Sequence, residues 1–232
     1  MKRMMRMMRM MRMMALAACL GVVPAQAVVA EEAGPPVVAR MKGIAGRAEM
    51  IEVITGMAEV DRAMRVAMLD ATSKLPSEQR TALQAQAGAL IVAQDKLHVE
   101  RLKALIAKHG WPKISETSQR TAMAAVTLAN HAGFDLAFQR RVLALLEPLA
   151  KSGEARPEDY ARLYDRLATV DGHPQRYGTQ GTTCREGRYA IPTDLEAPQG
   201  LEGRRAAVGL QPMTEYLAEL DKLYGACVSK PE

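Results

Sequence analysis

The chain has 232 residues, 48% of them hydrophobic, 25% charged and 4% aromatic, with 17 Gly, 12 Pro and three Cys. This composition excludes collagen-like, low-complexity, disulfide-dense and polytopic membrane classes. The formal charge of +5 would suit a polyanion, but Lys2, Arg3, Arg6, Arg9 and Arg12 all lie in residues 1–14, leaving 26 basic against 26 acidic residues. The basic excess belongs to the leader and gives no ground for nucleic-acid binding.

After Arg12, Met13 to Val23 form an uncharged, mostly apolar run of eleven residues, broken by Pro24 and followed by Ala25-Gln26-Ala27. A basic start, a short apolar run and an Ala-x-Ala end are the order of a secretory signal peptide, with cleavage expected after Ala27. The run is too short for an ordinary transmembrane helix, which needs about 20 residues, so no span is expected in the mature chain. The alternative is a lipoprotein, because Leu16-Ala17-Ala18-Cys19 resembles a lipid-attachment box. The expected location is therefore periplasmic or secreted, with a lipid anchor at Cys19 as the minority case. Cleavage leaves Cys184 and Cys227, a plausible disulfide in an oxidising compartment, two free thiols being the alternative.

Residues 28–36 include Glu31 to Pro36 and read as a flexible tether before a single helical domain over 37–228. In the first segment Met50, Ile54, Met57, Met64 and Met68 step by three and four, defining one helix face on which Asp61 also sits. Pro76-Ser77-Glu78 restarts the chain into a helix that runs to His109, stopped by Gly110 and Pro112. That helix carries Asp95 and His98 on the stripe of Ile91, Leu102 and Leu105. Glu116 to His131 reads as the next helix and Phe134 to Ala150 as another, with Gly133 as the break between them. Pro157 opens a further helix through Tyr160, Leu163, Tyr164 and Leu167. From Asp171 to Gln211 the helical period vanishes, and residues 184–191 around Arg185-Glu186-Gly187 suggest a small β-hairpin. Pro212 starts a last helix through Tyr224. The fold class is mainly α, an antiparallel helical bundle with a long irregular segment before the last helix.

No G-x-S-x-G, Walker loop, H-E-x-x-H or C-x-x-C is present, and four His with two mature Cys give little material for a Cys/His zinc site. Neither a metal nor a cofactor is expected. What stands out is polar residues on apolar faces. Asp61 has Arg65 at i+4, so a local ion pair explains it simply. Asp95 and His98, at i and i+3, can orient one another as His–carboxylate pairs do in catalysis, or form a satisfied structural pair. His131, Asp135 and Gln139 step by four. Asp165-Arg166 ends its helix just before Gln175-Arg176-Tyr177-Gly178-Thr179-Gln180, which groups two amides, a guanidinium, a phenol and a hydroxyl around a free-turning glycine.

These residues in order, with Gly110-Trp111-Pro112 and Gly209-Leu210, resemble a bacterial domain family of unknown function, family 6624, from about Ile54 to Tyr216. Gly-Trp-Pro and Gln-x-Tyr-Gly-Thr-Gln are its most specific parts. Arg62 and Asn130 depart from the resemblance, each standing where Gln is expected. The resemblance implies one fold and a shared polar centre, and no reaction.

Three functions follow as expectations. The first is a module whose polar centre binds a small or extended polar ligand through Asp135, Gln139, Arg166, Gln175, Tyr177, Gly178, Thr179 and Gln180. The second is an envelope or extracellular hydrolase, with His131 or His98 as base beside Asp95 or Asp165; no nucleophile can be nominated. The third is a sealed polar network that fixes helix register. Because Asp61, Asp95 and His131 need partners inside a bundle, the 175–180 segment is expected to fold back onto His131, Asp135, Gln139 and Asp165-Arg166.

Overall fold

The computed structural model describes residues 37–73, 75–225 and 227. The leader, the tether, Cys19 and the expected domain end at 228 lie outside them. Helix α1 spans Val37–Ser73, α2 Ser77–His109, α3 Gln119–Asn130, α4 Leu136–Lys151 and α5 Pro157–Val170. A hairpin follows, β1 Thr183–Arg185 and β2 Arg188–Ala190, then a 3-10 turn at Pro198–Gly200, α6 Leu201–Ala207 and α7 Met213–Tyr224. From Gly43 onward the chain is one compact unit, and every contact below lies within it. Residues 37–42, the described part of the other unit, are helical.

The boundaries follow local chemistry. α2 stops where Gly110, at φ +83°, donates its N–H back to Ile106, a conformation glycine adopts without Cβ strain. α3 starts at Gln119 rather than Glu116, because the Ser118 hydroxyl accepts from Thr121 N and caps it. α4 starts at Leu136, since the Asp135 carboxylate accepts from Phe138 N at 2.9 Å. Pro157 occupies the first turn of α5, where its missing N–H costs nothing. Buried Met50 and Ile54 of α1, Val99, Leu102 and Leu105 of α2, and apolar faces of α3, α4 and α5 close the main core with Trp111, and Ala161, Tyr177 and Leu210 form a smaller one.

The segment 171–211 is less irregular than its sequence suggests. The hairpin pairs Cys184 with Tyr189 and turns through Glu186 and Gly187, both at positive φ. α6 is a correction to the expected helix-free stretch: seven residues make under two turns, too few to show a period. Tertiary bonds hold it, because the buried Arg205 guanidinium donates to Tyr177 O and Gln211 O at 2.8 Å each. A disulfide joins Cys184 to Cys227 with Cα atoms 5.8 Å apart, tying the hairpin to the chain beyond α7. No helix of the described residues is long and apolar enough to cross a membrane.

Candidate functional site: an Asp–His–Arg cluster at an open cleft

The polar residues on the apolar faces of α1 and α2 meet at the C-terminus of α3. Asp61 Oδ1 accepts from Arg65 Nε at 3.0 Å and lies 3.0 Å from His131 Nδ1. Arg65 Nη2 reaches across to Asp95 Oδ1 at 2.7 Å. Asp61 and Asp95 are buried, so each carboxylate needs such partners. Burial alone would raise the Asp61 carboxyl, but the bond and charge of His131, with those of Arg65, outweigh it and hold the group below its ordinary range.

His98 lies beside this cluster. Burial lowers its pKa, and the Arg65 charge lowers it further, against the pull of Asp61 and Asp95. The ring is therefore neutral at pH 7, its Nε2 2.7 Å from the Gln94 amide nitrogen. With the amide donating, the ring proton sits on Nδ1, a buried atom without a partner. His98 is thus unsuited to act as a base on anything from outside.

His131 differs. Its ring is 26% exposed, among the described residues only its Nδ1 is hydrogen-bonded, and it lines a cleft of about 370 Å³ between α1 and α3. Arg65, 30% exposed, faces the same cleft. The walls are Ala58, Val66, Leu69, Met123 and Ala124, with Arg62 and the Glu59–Arg120 ion pair also lining it. Thr55 and Thr127 line it too, but their hydroxyls donate to Ile51 O and Met123 O and are not activated. A carboxylate on Nδ1 with Nε2 uncommitted is the arrangement that orients an imidazole to accept a proton or bind a polar group.

Asp61, Asp95 and His131 each offer a ligand atom within 4.8 Å of the others. Arg65 already lies between the two carboxylates and supplies the charge a cation would bring, so the cluster is centred on a guanidinium.

The 175–180 segment builds a second centre. Asp165, fully buried, accepts from Arg176 N at 2.8 Å, Tyr177 N at 3.1 Å, Thr179 N at 2.9 Å and the Thr179 hydroxyl at 3.0 Å. Gln175, also buried, accepts from Gln180 N through Oε1 and donates to Asp194. Gly178 turns at φ +64° against Met213 and Leu195. The segment thus folds back onto Asp165 as expected, but among the described residues no hydrogen bond joins it to His131, Asp135 or Gln139, which corrects that part of the expectation. The reason is stoichiometric: one carboxylate takes up the loop's backbone donors, and Arg65 satisfies the helix carboxylates without it.

Asp135 and Gln139 are likewise committed, and Arg166 is not. Asp135 caps α4 and pairs with Lys103 at 2.7 Å. Gln139, fully buried, donates to Ala129 O and Asn130 O at 2.9 Å each, capping the end of α3 just before His131. Arg166 lies against Gly133, and its Nε, Asn130 Oδ1 and Gln139 Oε1 are buried without partners. Sequence reasoning left Asp61, Arg62, Arg65, Arg120, Met123 and Thr127 out of the expected catalytic and ligand residues. Asp61 carried a signal, a carboxylate on the methionine stripe; Arg62 beside it and the α3 residues carried none.

No curated protein and no solved structure matches the chain. A family model described as a family of unknown function does match, over residues 48–229, which include both polar centres. The chain belongs to that family, DUF6624.

Proposed function

We propose that this chain is an exported ligand-binding domain whose site is the α1/α3 cleft floored by Asp61, Arg65 and His131. Export rests on the basic leader, the eleven-residue apolar run and Ala25-Gln26-Ala27. Binding rests on one observation: His131 is held by a buried carboxylate through Nδ1 while Nε2 stays uncommitted in an open cleft. A purely structural network would have no use for that opening. The centre around Asp165 is assigned to the scaffold, because its hydrogen bonds close on the loop itself.

A second reading, a hydrolase, is favoured by the same Asp61–His131 bond. The unactivated threonines supply no nucleophile, so water would attack while His131 Nε2 takes its proton.

Diethyl pyrocarbonate acylates unprotonated imidazole nitrogens and so reads the opening directly. Peptide mapping should find His131 modified well before His98, and acetate, a minimal anion that Arg62 and Arg65 can hold across the cleft, should slow the reaction at His131 by covering its ring. Equal rates at both rings would contradict the cleft and leave the sealed network.

A further inference from the structure

The groups that line the cleft divide sharply by what they still have to offer. Asp61 is engaged by His131 and Arg65, and Glu59 by Arg120. Among the described residues Arg62 has no ion-pair partner, while Arg65 spends Nε and Nη2 and keeps Nη1. The free capacity is therefore mostly N–H, which calls for an anionic acceptor such as a carboxylate.

The walls ask for something else. Val66 is 53% exposed, Leu69 45% and Met123 37%, although all three border one hollow. Val66 and Leu69 also border a second hollow of about 570 Å³, together with Leu223, 69% exposed on α7. The two hollows thus share a wall and follow α1 from Thr55 to Ser73, about 27 Å at 1.5 Å per residue. Isolated apolar residues on a surface mean little, but several along one trough beside unspent donors mark a ligand groove.

We infer that the groove binds a single-chain amphiphile with a carboxylate head, a free fatty acid, its head held by Arg62 and Arg65 so that it covers the His131 ring, and its chain along Val66 and Leu69 towards Leu223. This rests on the cleft reading above and names its ligand.

Protection of His131 from diethyl pyrocarbonate measures both, with dodecanoate below its micelle concentration as the probe. Each methylene buried strengthens binding about fourfold, so dodecanoate should protect at a concentration at least tenfold lower than acetate. Dodecyltrimethylammonium, with the same tail and the opposite head, should need at least tenfold more than dodecanoate. Leu69→Asn, at an exposed position, should shrink the advantage of dodecanoate over acetate, and an unchanged advantage would overturn this path for the chain. Arg62→Gln should weaken both acids. Acetate protecting as well as dodecanoate would overturn the fatty acid and leave the cleft reading standing. Equal protection by the ammonium amphiphile would overturn the carboxylate head. A His131 that reacts no faster than His98 would defeat the cleft reading itself.

Discussion

Asp165 shows how much of the molecule one carboxylate can hold. It terminates three backbone N–H groups and a hydroxyl of a loop eleven to fourteen residues away, in a site without solvent. Removing it strands those donors, each at about 1–3 kcal/mol, so Asp165→Ala should lower the urea unfolding free energy by about 4 kcal/mol. A change under 1 kcal/mol would mean that the loop holds itself. Three buried groups contribute to the pH dependence. Asp61 and His98 both have folded pKa values below their unfolded ones, so the folded state binds fewer protons. Their stability is present above the unfolded values and is lost as pH falls, from about 6.5 downward for His98 and from about 4 for Asp61. Asp159 works the other way. Burial raises it to about 6, although the charge of Arg156 pulls it down, so its contribution is favourable below about pH 4 and is lost as pH rises through 6. Asp159→Asn should therefore stabilise the protein at pH 7, by about 2 kcal/mol, and leave it little changed at pH 4. Chemical denaturation at the two pH values decides it.

At the scale of elements, the last residues of α3 matter most, because they present His131. Gln139 donates to two carbonyls there, Ala129 O, which also accepts from Ala132 N, and Asn130 O. Gln139→Leu keeps the volume but strands Asn130 O, and should cost about 1–3 kcal/mol while broadening the His131 resonances; unchanged resonances would deny Gln139 this positioning role. Gly178 is the other pivot. A Cβ there would stand 2.7 Å from Met213 Cε at a φ of +64°, so Gly178→Ala should destabilise by at least about 1 kcal/mol in a thermal melt. The helices themselves were legible: period, proline restarts and glycine stops located α2 through α5 and α7 to within a few residues, whereas α1 starts at Val37, thirteen residues before Met50, the first residue of its stripe. Starts at Ser118 and Asp135 shifted because a side-chain cap fixes the first turn, and a cap is one residue among many polar ones. Polar residues on apolar faces also identified Asp61, Asp95 and His131 correctly as needing partners. Which partners they would find was not legible. Arg65 could be read only as a local i+4 mate of Asp61, whereas its second bond crosses to Asp95, thirty residues on. Such long-range pairing is set by how α1 and α2 lie together, and one sequence carries no trace of it.

Over the whole molecule, the Cys184–Cys227 bridge closes a loop of 43 residues' separation. Loop-closure entropy sets its worth at about 4 kcal/mol at most. Reduction should lower the melting temperature while leaving the Asp61–His131 bond intact, since the bridge lies in the hairpin region and the cluster on α1 to α3. The architecture divides labour between two polar centres. The one around Asp165 is closed on itself and braces the long segment, and the one around Arg65 is left open on one side. That opening is the central claim, and the tautomer of His131 tests it most directly. A long-range proton–nitrogen correlation spectrum at neutral pH should show His131 with its proton on Nδ1, directed at Asp61, and a bare Nε2 whose resonance shifts when acetate, held by Arg62 and Arg65, brings its charge beside the ring. Asp61→Asn should return the ring towards the Nε2–H form common in free imidazoles. A wild-type His131 already protonated on Nε2 alone, and unmoved by acetate, would contradict both the dyad and the site.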